Sequence, residues 1–179
     1  VIPLLSMRTL AAERSQGSFE LLAASLVRPL ELVCGKFLAL VGVIIALCAV
    51  VGFEPLILAW IAEPGSAFDY GALATAIVGL CLLGCSFAAV GLAASALTES
   101  PALAAGGSFL FLLFAWVLRL GGQGDGFFGQ LLPALSPLTR LENFAIGRLS
   151  AADMGYFVVL IALGLMVAWR GVDRHRWQG

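Results

Sequence analysis

The segment YGALATAIVGLCLLGCSFAAVGLAASAL, residues 70–97, carries no charged side chain and consists almost wholly of apolar and small residues. About 20 helical residues are enough to cross the hydrocarbon core of a bilayer, which is about 30 Å thick. Because lipid offers no hydrogen-bond partners, a backbone that crosses it singly does so as an α-helix. Residues 70–97 therefore predict a transmembrane helix, and this helix sets the fold class of the chain.

Three further apolar runs accompany this segment, and the overall composition agrees with them. Of the 179 residues, 61% are hydrophobic and 12% are charged, with a mean hydropathy of +1.02, whereas a soluble domain carries about 25% charged residues. The sequence predicts an all-α polytopic membrane protein with four transmembrane helices, at 37–61, 70–97, 101–118 and 154–169. Glu54, near the end of the first, is the single charged residue inside these spans.

The chain begins with the apolar residues VIPLLSM, 1–7, which run directly into a polar stretch. They do not resemble a secretory signal, because no basic segment precedes them and no small-residue cleavage site follows. We expect them to be the end of a preceding transmembrane helix, and the sequence to be incomplete at its N-terminus.

The basic residues are distributed unevenly between the two sides of the membrane. Four of the ten Lys and Arg residues lie in the loop 8–36, and three lie in the tail 170–179. Four spans place this loop and tail on one side, and positive charge is enriched on the cytoplasmic side. We expect a cytoplasmic loop and tail, with 119–153 forming an extracytoplasmic segment, although that segment contains three arginines.

No catalytic or nucleotide-binding motif is recognisable in the sequence. A phosphate-binding loop requires G-x-x-x-x-G-K-[ST], but around CGKF, 34–37, Leu30 replaces the first glycine and Phe37 replaces the hydroxyl residue. His175 is the only histidine, and the four cysteines lack zinc-site or disulfide spacing. We expect the chain to be no enzyme and to bind no metal or cofactor, so any energy source would be used by another subunit.

A stripe of small residues follows one face of the 70–97 helix, at positions i, i+4, i+7 and i+11. Such a stripe lets a neighbouring backbone approach closely. We interpret it as a packing surface within the bundle rather than a contact between copies. Its members are Gly84, Ala88, Gly91 and Ser95.

The polar stretch AAERSQGSFELLAAS, 11–25, is unusual in so apolar a chain. Gly17 breaks the helical pattern, Ser18 is a good N-cap, and Glu20 stands in the first turn, where a carboxylate complements the helix dipole. A short amphipathic helix is predicted to follow and to lie at the cytoplasmic membrane surface, and Pro29 then starts a helix that runs into the first span. The pattern indicates either an interfacial anchor or a docking element for a cytoplasmic partner.

Three stretches in register resemble the permease subunits of ABC-2 type transporters, and the likeness is greatest to the gliding-motility-associated group. They are ERSQGSFELLAAS with the following ELVCGKF, then SALTES after the second span, and LSPLTRLENFAIGRLSAADMGYF before the last span. The resemblance extends over essentially the whole chain. It implies that the loop 8–36 contains the coupling helix, which in this family sits in a groove of the ATP-binding subunit.

Further expectations follow from this resemblance. It assigns the coupling role to Glu13, Gly17, Ser18, Glu20, Leu21 and Leu22, with Gly35 and Lys36 leading into the membrane. The chain would be one permease domain of a bacterial inner-membrane exporter, with ATP and Mg²⁺ on the ABC ATP-binding subunit. Its partners would be that subunit, a second copy or a related permease, and the lipid bilayer, without nucleic acid. Short re-entrant or surface helices within 119–153 would cap the outer end of the path.

Two other classes of function stay open on the sequence alone. A secondary transporter or channel requires polar groups near the membrane midplane, and the four spans supply few. A membrane anchor or mechanical subunit of a motility or envelope complex requires a coupling helix but no cargo. Flux driven by ATP would separate the exporter from both.

Overall fold

The computed structural model describes residues 29–61, 69–98, 100–120 and 132–176. Within these ranges the chain is helical, without any strand. The principal helices are listed here in chain order: α1 Pro29–Ile61, α2 Tyr70–Leu97, α3 Pro101–Leu120, α4 Pro137–Ala145 and α5 Ala151–Arg176. All except the short α4 are long and apolar enough to cross a membrane. The all-α polytopic fold predicted from the sequence is therefore confirmed.

Three of the long helices extend beyond the apolar runs that predict them. α1 begins at Pro29 rather than at residue 37, so 29–36 form its first two turns and continue the span. α3 continues to Leu120 instead of ending at residue 118. α5 covers Ala151–Arg176 rather than 154–169, so much of the expected tail is helical. Apolar character ends at the membrane surface, but a helix can continue into water because its backbone hydrogen bonds are internal.

α2 is the central helix of the bundle. It packs against each of the other four helices, and most extensively against α5. Half of its membrane-spanning window is buried, compared with 17–22% for the other three spans. Its small residues make this possible, because helix association in lipid depends on close packing rather than on hydrophobic exclusion from water.

The bundle has two distinct ends. At one end α4 lies against the start of α2, and Gly147, just after α4, is near Ala72; we call this the α4 end. At the other end, the Pro29 end, Val33 joins a buried cluster with Ala96 and Val172. The expected loop 8–36 therefore leads into the end opposite to α4.

The α4 end is fixed by local capping interactions. Asp69 Oδ1 accepts hydrogen bonds from the backbone N–H groups of Gly71 and Ala72 at 2.9 and 3.0 Å, which starts α2. α4 starts with Pro137 directly after Ser136, and Gly147 follows its C-terminus at φ +82°. A left-handed residue after a helix favours glycine, because a side chain there would be strained.

Candidate functional site

The predicted coupling residues lie mostly outside the part of the chain that the structure describes. Those outside it are Glu13, Gly17, Ser18, Glu20, Leu21 and Leu22. Gly35 and Lys36 are in the second turn of α1, and a Cβ added at Gly35 would meet nothing within 4 Å. Gly35 is therefore not needed for packing within the described bundle, and its exposed position leaves it accessible at the Pro29 end.

The predicted small-residue stripe lies inside the bundle. All four members, Gly84, Ala88, Gly91 and Ser95, are buried in α2. Ala88 belongs to the core cluster that includes residues of α1 and α5, and Gly84 lines a cavity between α1 and α2.

A second small-residue contact, which we did not predict from the sequence, joins α2 and α5 more closely. A Cβ added at Gly164 would lie 2.9 Å from the backbone carbon and Cβ of Ala89, and one at Gly171 would lie 3.0 Å from the Ala96 carbonyl oxygen. The two backbones therefore leave no room for a methyl group. The sequence contained one signal for this contact: the contacting residues are seven apart in each helix, Gly164 and Gly171 in α5 and Ala89 and Ala96 in α2. A repeat of 3.5 residues per turn keeps such positions facing the partner helix.

The α4 end carries the densest group of polar interactions in the described chain, and it is built around Phe144. This side chain is fully buried, and a Cβ added at Gly79 of α2 would lie 2.5 Å from the Cβ of Phe144. The Thr75 hydroxyl donates a hydrogen bond of 2.8 Å to the Phe144 carbonyl oxygen. Gly79 lies nine residues into α2, about 13 Å along its axis, so α4 is inserted beside α2 rather than resting on its tip.

An ion pair connects α4 to α5. Arg140 binds Asp153, whose carboxylate is almost fully buried, at 3% exposure. Asn143 Nδ2 donates a hydrogen bond of 3.0 Å to the other oxygen of Asp153. Arg140 also donates to the Ala134 carbonyl oxygen and lies 5.3 Å above the Tyr156 ring. Removing either charge would leave its partner poorly solvated, which makes this pair costly to break.

Further bonds connect the segment around α4 to α5 and α3. The Tyr156 hydroxyl donates a hydrogen bond of 2.6 Å to the Leu135 carbonyl oxygen. The buried Ser136 hydroxyl donates one of 2.9 Å to the Ala115 carbonyl oxygen of α3. This second bond satisfies a hydroxyl that would otherwise be costly to bury.

Two cavities lined by described residues are apolar. One, of about 250 Å³, lies between α1 and α2 and is lined by Ile44, Leu47, Cys48, Val51, Leu80, Leu83, Gly84 and Phe87. The other, of about 200 Å³, lies between α3, α5 and the α4 segment, with Phe111 and Tyr156 in its wall. Within the described residues no group of three His, Cys, Asp or Glu side chains could hold a metal ion.

The cysteines of the spans are close to one another but serve as packing residues. Cys48 is buried in the core cluster, with Cys81 and Cys85 packed beside it. Cys48 lies on α1, and Cys81 and Cys85 lie on α2. Free cysteine behaves as a small hydrophobic residue in such a place.

Comparison with known proteins gives one family. A model described as ABC-2 family transporter protein matches residues 1–169. A search of curated proteins finds no match to this chain.

Proposed function

Because this chain belongs to the ABC-2 transporter family, as the membrane-spanning permease subunit of an ABC transporter, we propose that it forms the translocation path of an exporter driven by a separate ATPase subunit. The single observation that carries this proposal is the family match over residues 1–169. The four apolar helices support it. The finer likeness to the gliding-motility group is part of the proposal and rests on the motifs alone.

The loop 8–36 is the proposed site of coupling to the ATPase subunit. We propose from the sequence pattern that Gly17 and Ser18 start the coupling helix and that Glu20 places a carboxylate in its first turn, where the helix dipole favours it. The described residues add one supporting fact: the loop leads through Pro29 into α1, a helix of 33 residues whose one internal proline, Pro55, lies in the half away from the loop. A displacement of the coupling helix would therefore act directly on α1, because a continuous helix transmits force along its hydrogen-bonded backbone.

The proposed mechanism is mechanical. ATP binding closes the ATPase pair, displaces the coupling helices and switches the bundle between two discrete packings. The cargo meets an apolar and small-residue path, in which the described residues offer no catalytic group. This chain then transports without changing its cargo chemically, and ATP with Mg²⁺ is bound by the partner subunit.

We further propose a bacterial inner-membrane location with the loop and tail in the cytoplasm. The distribution of basic residues supports this orientation. The arginines of the extracytoplasmic segment are exceptions to it, but two of them are paired with carboxylates. Of the three arginines in 119–153, Arg119 pairs with Glu142 and Arg140 pairs with Asp153, so their charges are neutralised locally. Cys34 is exposed at the Pro29 end, and a membrane-impermeant maleimide should label it in inside-out membrane vesicles but not in intact cells; labelling in intact cells would contradict the orientation.

The coupling proposal is tested by purifying the full-length protein in mild detergent with Glu20→Lys as the variant. The wild type should retain a P-loop ATPase in stoichiometric amount, and the variant should lose it while the bundle stays folded. Glu54→Lys is the matched control, because it makes the same charge reversal at an exposed site in the half of α1 that is away from the Pro29 end. Equal retention of the ATPase by the wild type and Glu20→Lys would refute the coupling role.

A mechanical or anchoring role remains the second candidate, because a coupling helix serves movement without export equally well. ATP-dependent loss of a labelled apolar compound from proteoliposomes containing the assembled complex distinguishes the two. Hydrolysis that moves no cargo across a range of lipid, peptide and drug-like compounds would favour the mechanical role.

A further inference from the structure

The contacts between α2, α4 and α5 form one tightly packed group, which we call the three-helix unit. At the α2–α5 seam, Gly164 and Gly171 leave no space for a Cβ against the α2 backbone. At the α2–α4 seam, Gly79 leaves none against Phe144. Seams packed this closely resist deformation, since protein interiors are close to crystalline density.

Polar bonds reinforce the same unit. The Arg140–Asp153 ion pair joins α4 to α5, and the Thr75 hydroxyl joins α2 to the carbonyl oxygen of Phe144. Phe144 and Phe157, both fully buried, hold α4 against α5 with ring centroids 6.1 Å apart. Separating these helices would leave the buried Asp153 carboxylate without its charge partner, which is costly.

α1 is seated against this unit by different contacts. A cavity of about 250 Å³ interrupts its seam with α2. Added Cβ atoms at Gly35 and Gly42 would meet nothing within 4 Å, and the close neighbour of Gly52 is the flexible end of the Ile77 side chain. Lipid solvates apolar side chains about as well as a neighbouring helix does, so a shift of this seam is inexpensive.

α1 also changes its surroundings along its length. Near the Pro29 end, Val33 is 1% exposed and packs in the core cluster. Pro55 interrupts the hydrogen-bond ladder of the helix, and beyond it the large side chains are outward, with Trp60 88% exposed. The helix is therefore packed in the core from Val33 to Cys48, with a half-open cavity beside Cys48, and it is loosely held beyond Pro55.

We propose that α2, α4 and α5 move as one rigid unit during the transport cycle and that α1 is the helix that shifts against it. This inference rests on the proposed function, since the coupling loop delivers the force to α1. The half-open cavity beside Cys48 supplies space for an alternative packing, and a packed seam switches between discrete arrangements rather than deforming continuously. The α4 segment then stays attached to α2 and α5 while α1 moves.

Spin-label distances test this division of the bundle. Two double-cysteine variants, each made with the native cysteines replaced by serine or alanine, share one label site. Leu38→Cys/Val78→Cys measures α1 against the unit, and Val78→Cys/Val167→Cys measures α2 against α5 within it. All three positions are exposed, at 71%, 41% and 42%, so the labels do not disturb packing. The label distances are measured in the full-length complex with its ATPase subunit, in nanodiscs. They are compared between the complex without nucleotide and the complex trapped with ATP and vanadate.

The expected result is a change of more than about 2 Å between Leu38 and Val78, the scale of helix shifts in switching proteins, with no resolved change between Val78 and Val167. An equal change in both pairs would overturn the inference, as would unchanged distances in both pairs while the complex hydrolyses ATP. Absence of any associated ATPase is a separate result that counts against the proposed function. If no ATPase is associated, the inference is tested on the nucleotide-free chain alone. It requires a broader distance distribution for the Leu38/Val78 pair than for the Val78/Val167 pair, and equal widths of the two distributions would overturn it.

Discussion

Gly164→Ala should destabilise the protein although it adds only one methyl group. The new Cβ would lie 2.9 Å from the backbone carbon and the Cβ of Ala89 and 3.0 Å from the carbonyl oxygen. Non-bonded carbon atoms prefer about 3.5–4.0 Å, so the two helices must separate by roughly 0.6 Å or more. The obstructing atoms include backbone, which cannot rotate away as a side chain can.

The expected magnitude follows from two opposing effects. Overpacking a close seam costs about 1–3 kcal/mol, and replacing a mid-helix glycine by alanine returns about 0.5–1 kcal/mol. Gly164→Ala should therefore lower the free energy of unfolding by about 1 kcal/mol, within a range of about 0–2.5 kcal/mol. Gly155→Ala is the matched control on the same helix, because its Cβ would meet nothing within 4 Å, and it should leave stability unchanged or raise it by up to about 1 kcal/mol.

Unfolding of the full-length protein by sodium dodecyl sulfate in mixed micelles, followed by tryptophan fluorescence, measures the difference between the two variants. Adding Ala89→Gly to Gly164→Ala should restore only part of the loss. That change removes the contact between the two Cβ atoms but leaves the backbone contacts in place. Equal stability of Gly164→Ala and Gly155→Ala would show that α2 and α5 are not packed backbone to backbone.

The α4 end yields two further predictions, measured by the same unfolding assay. Asp153→Ala should lower the free energy of unfolding by about 3 kcal/mol or more, because it leaves the partly buried Arg140 without its charge partner. Glu142→Ala breaks an exposed pair with Arg119 and should lower it by no more than about 1 kcal/mol. Similar losses in the two variants would contradict the difference in burial between the two pairs. Thr139→Val should leave stability unchanged or raise it, because the Thr139 hydroxyl is buried without a hydrogen-bond partner, and a loss above about 1 kcal/mol would reveal a bond that the structure does not contain.

Helix positions were largely predictable, and so were the bounds of α2, whereas the C-terminus of α3 and both ends of α5 were not. Hydropathy locates the stretch that must lie in hydrocarbon, and all four apolar runs are indeed within helices. It says little about where a helix ends in water, which depends on caps such as Asp69 before α2 and the left-handed Gly147 after α4. The predicted start of a helix at Pro29 agrees with α1, since proline is favoured in the first turn.

The α4 end was the part of the candidate site that the sequence revealed least. Short re-entrant or surface helices were expected within 119–153, and α4 is found there, but its attachment was not foreseen. Arg140 and Asp153 are 13 residues apart, and Thr75 and Phe144 are 69 apart. No local periodicity relates such residues. In isolation they resemble ordinary charged and hydroxyl residues at the ends of apolar runs.

The sequence by itself determined that this protein is a bundle of membrane-spanning helices, because its apolar runs leave no other way to satisfy the backbone in lipid. It also determined which segments carry the charges that face water. Only the tertiary structure decided which small residues hold the bundle together. Gly164 and Gly155 are equivalent in composition and lie on one helix, yet one touches the α2 backbone and the other faces open space. That difference depends on how neighbouring helices are rotated and inserted, and a stripe of small residues permits more than one such arrangement.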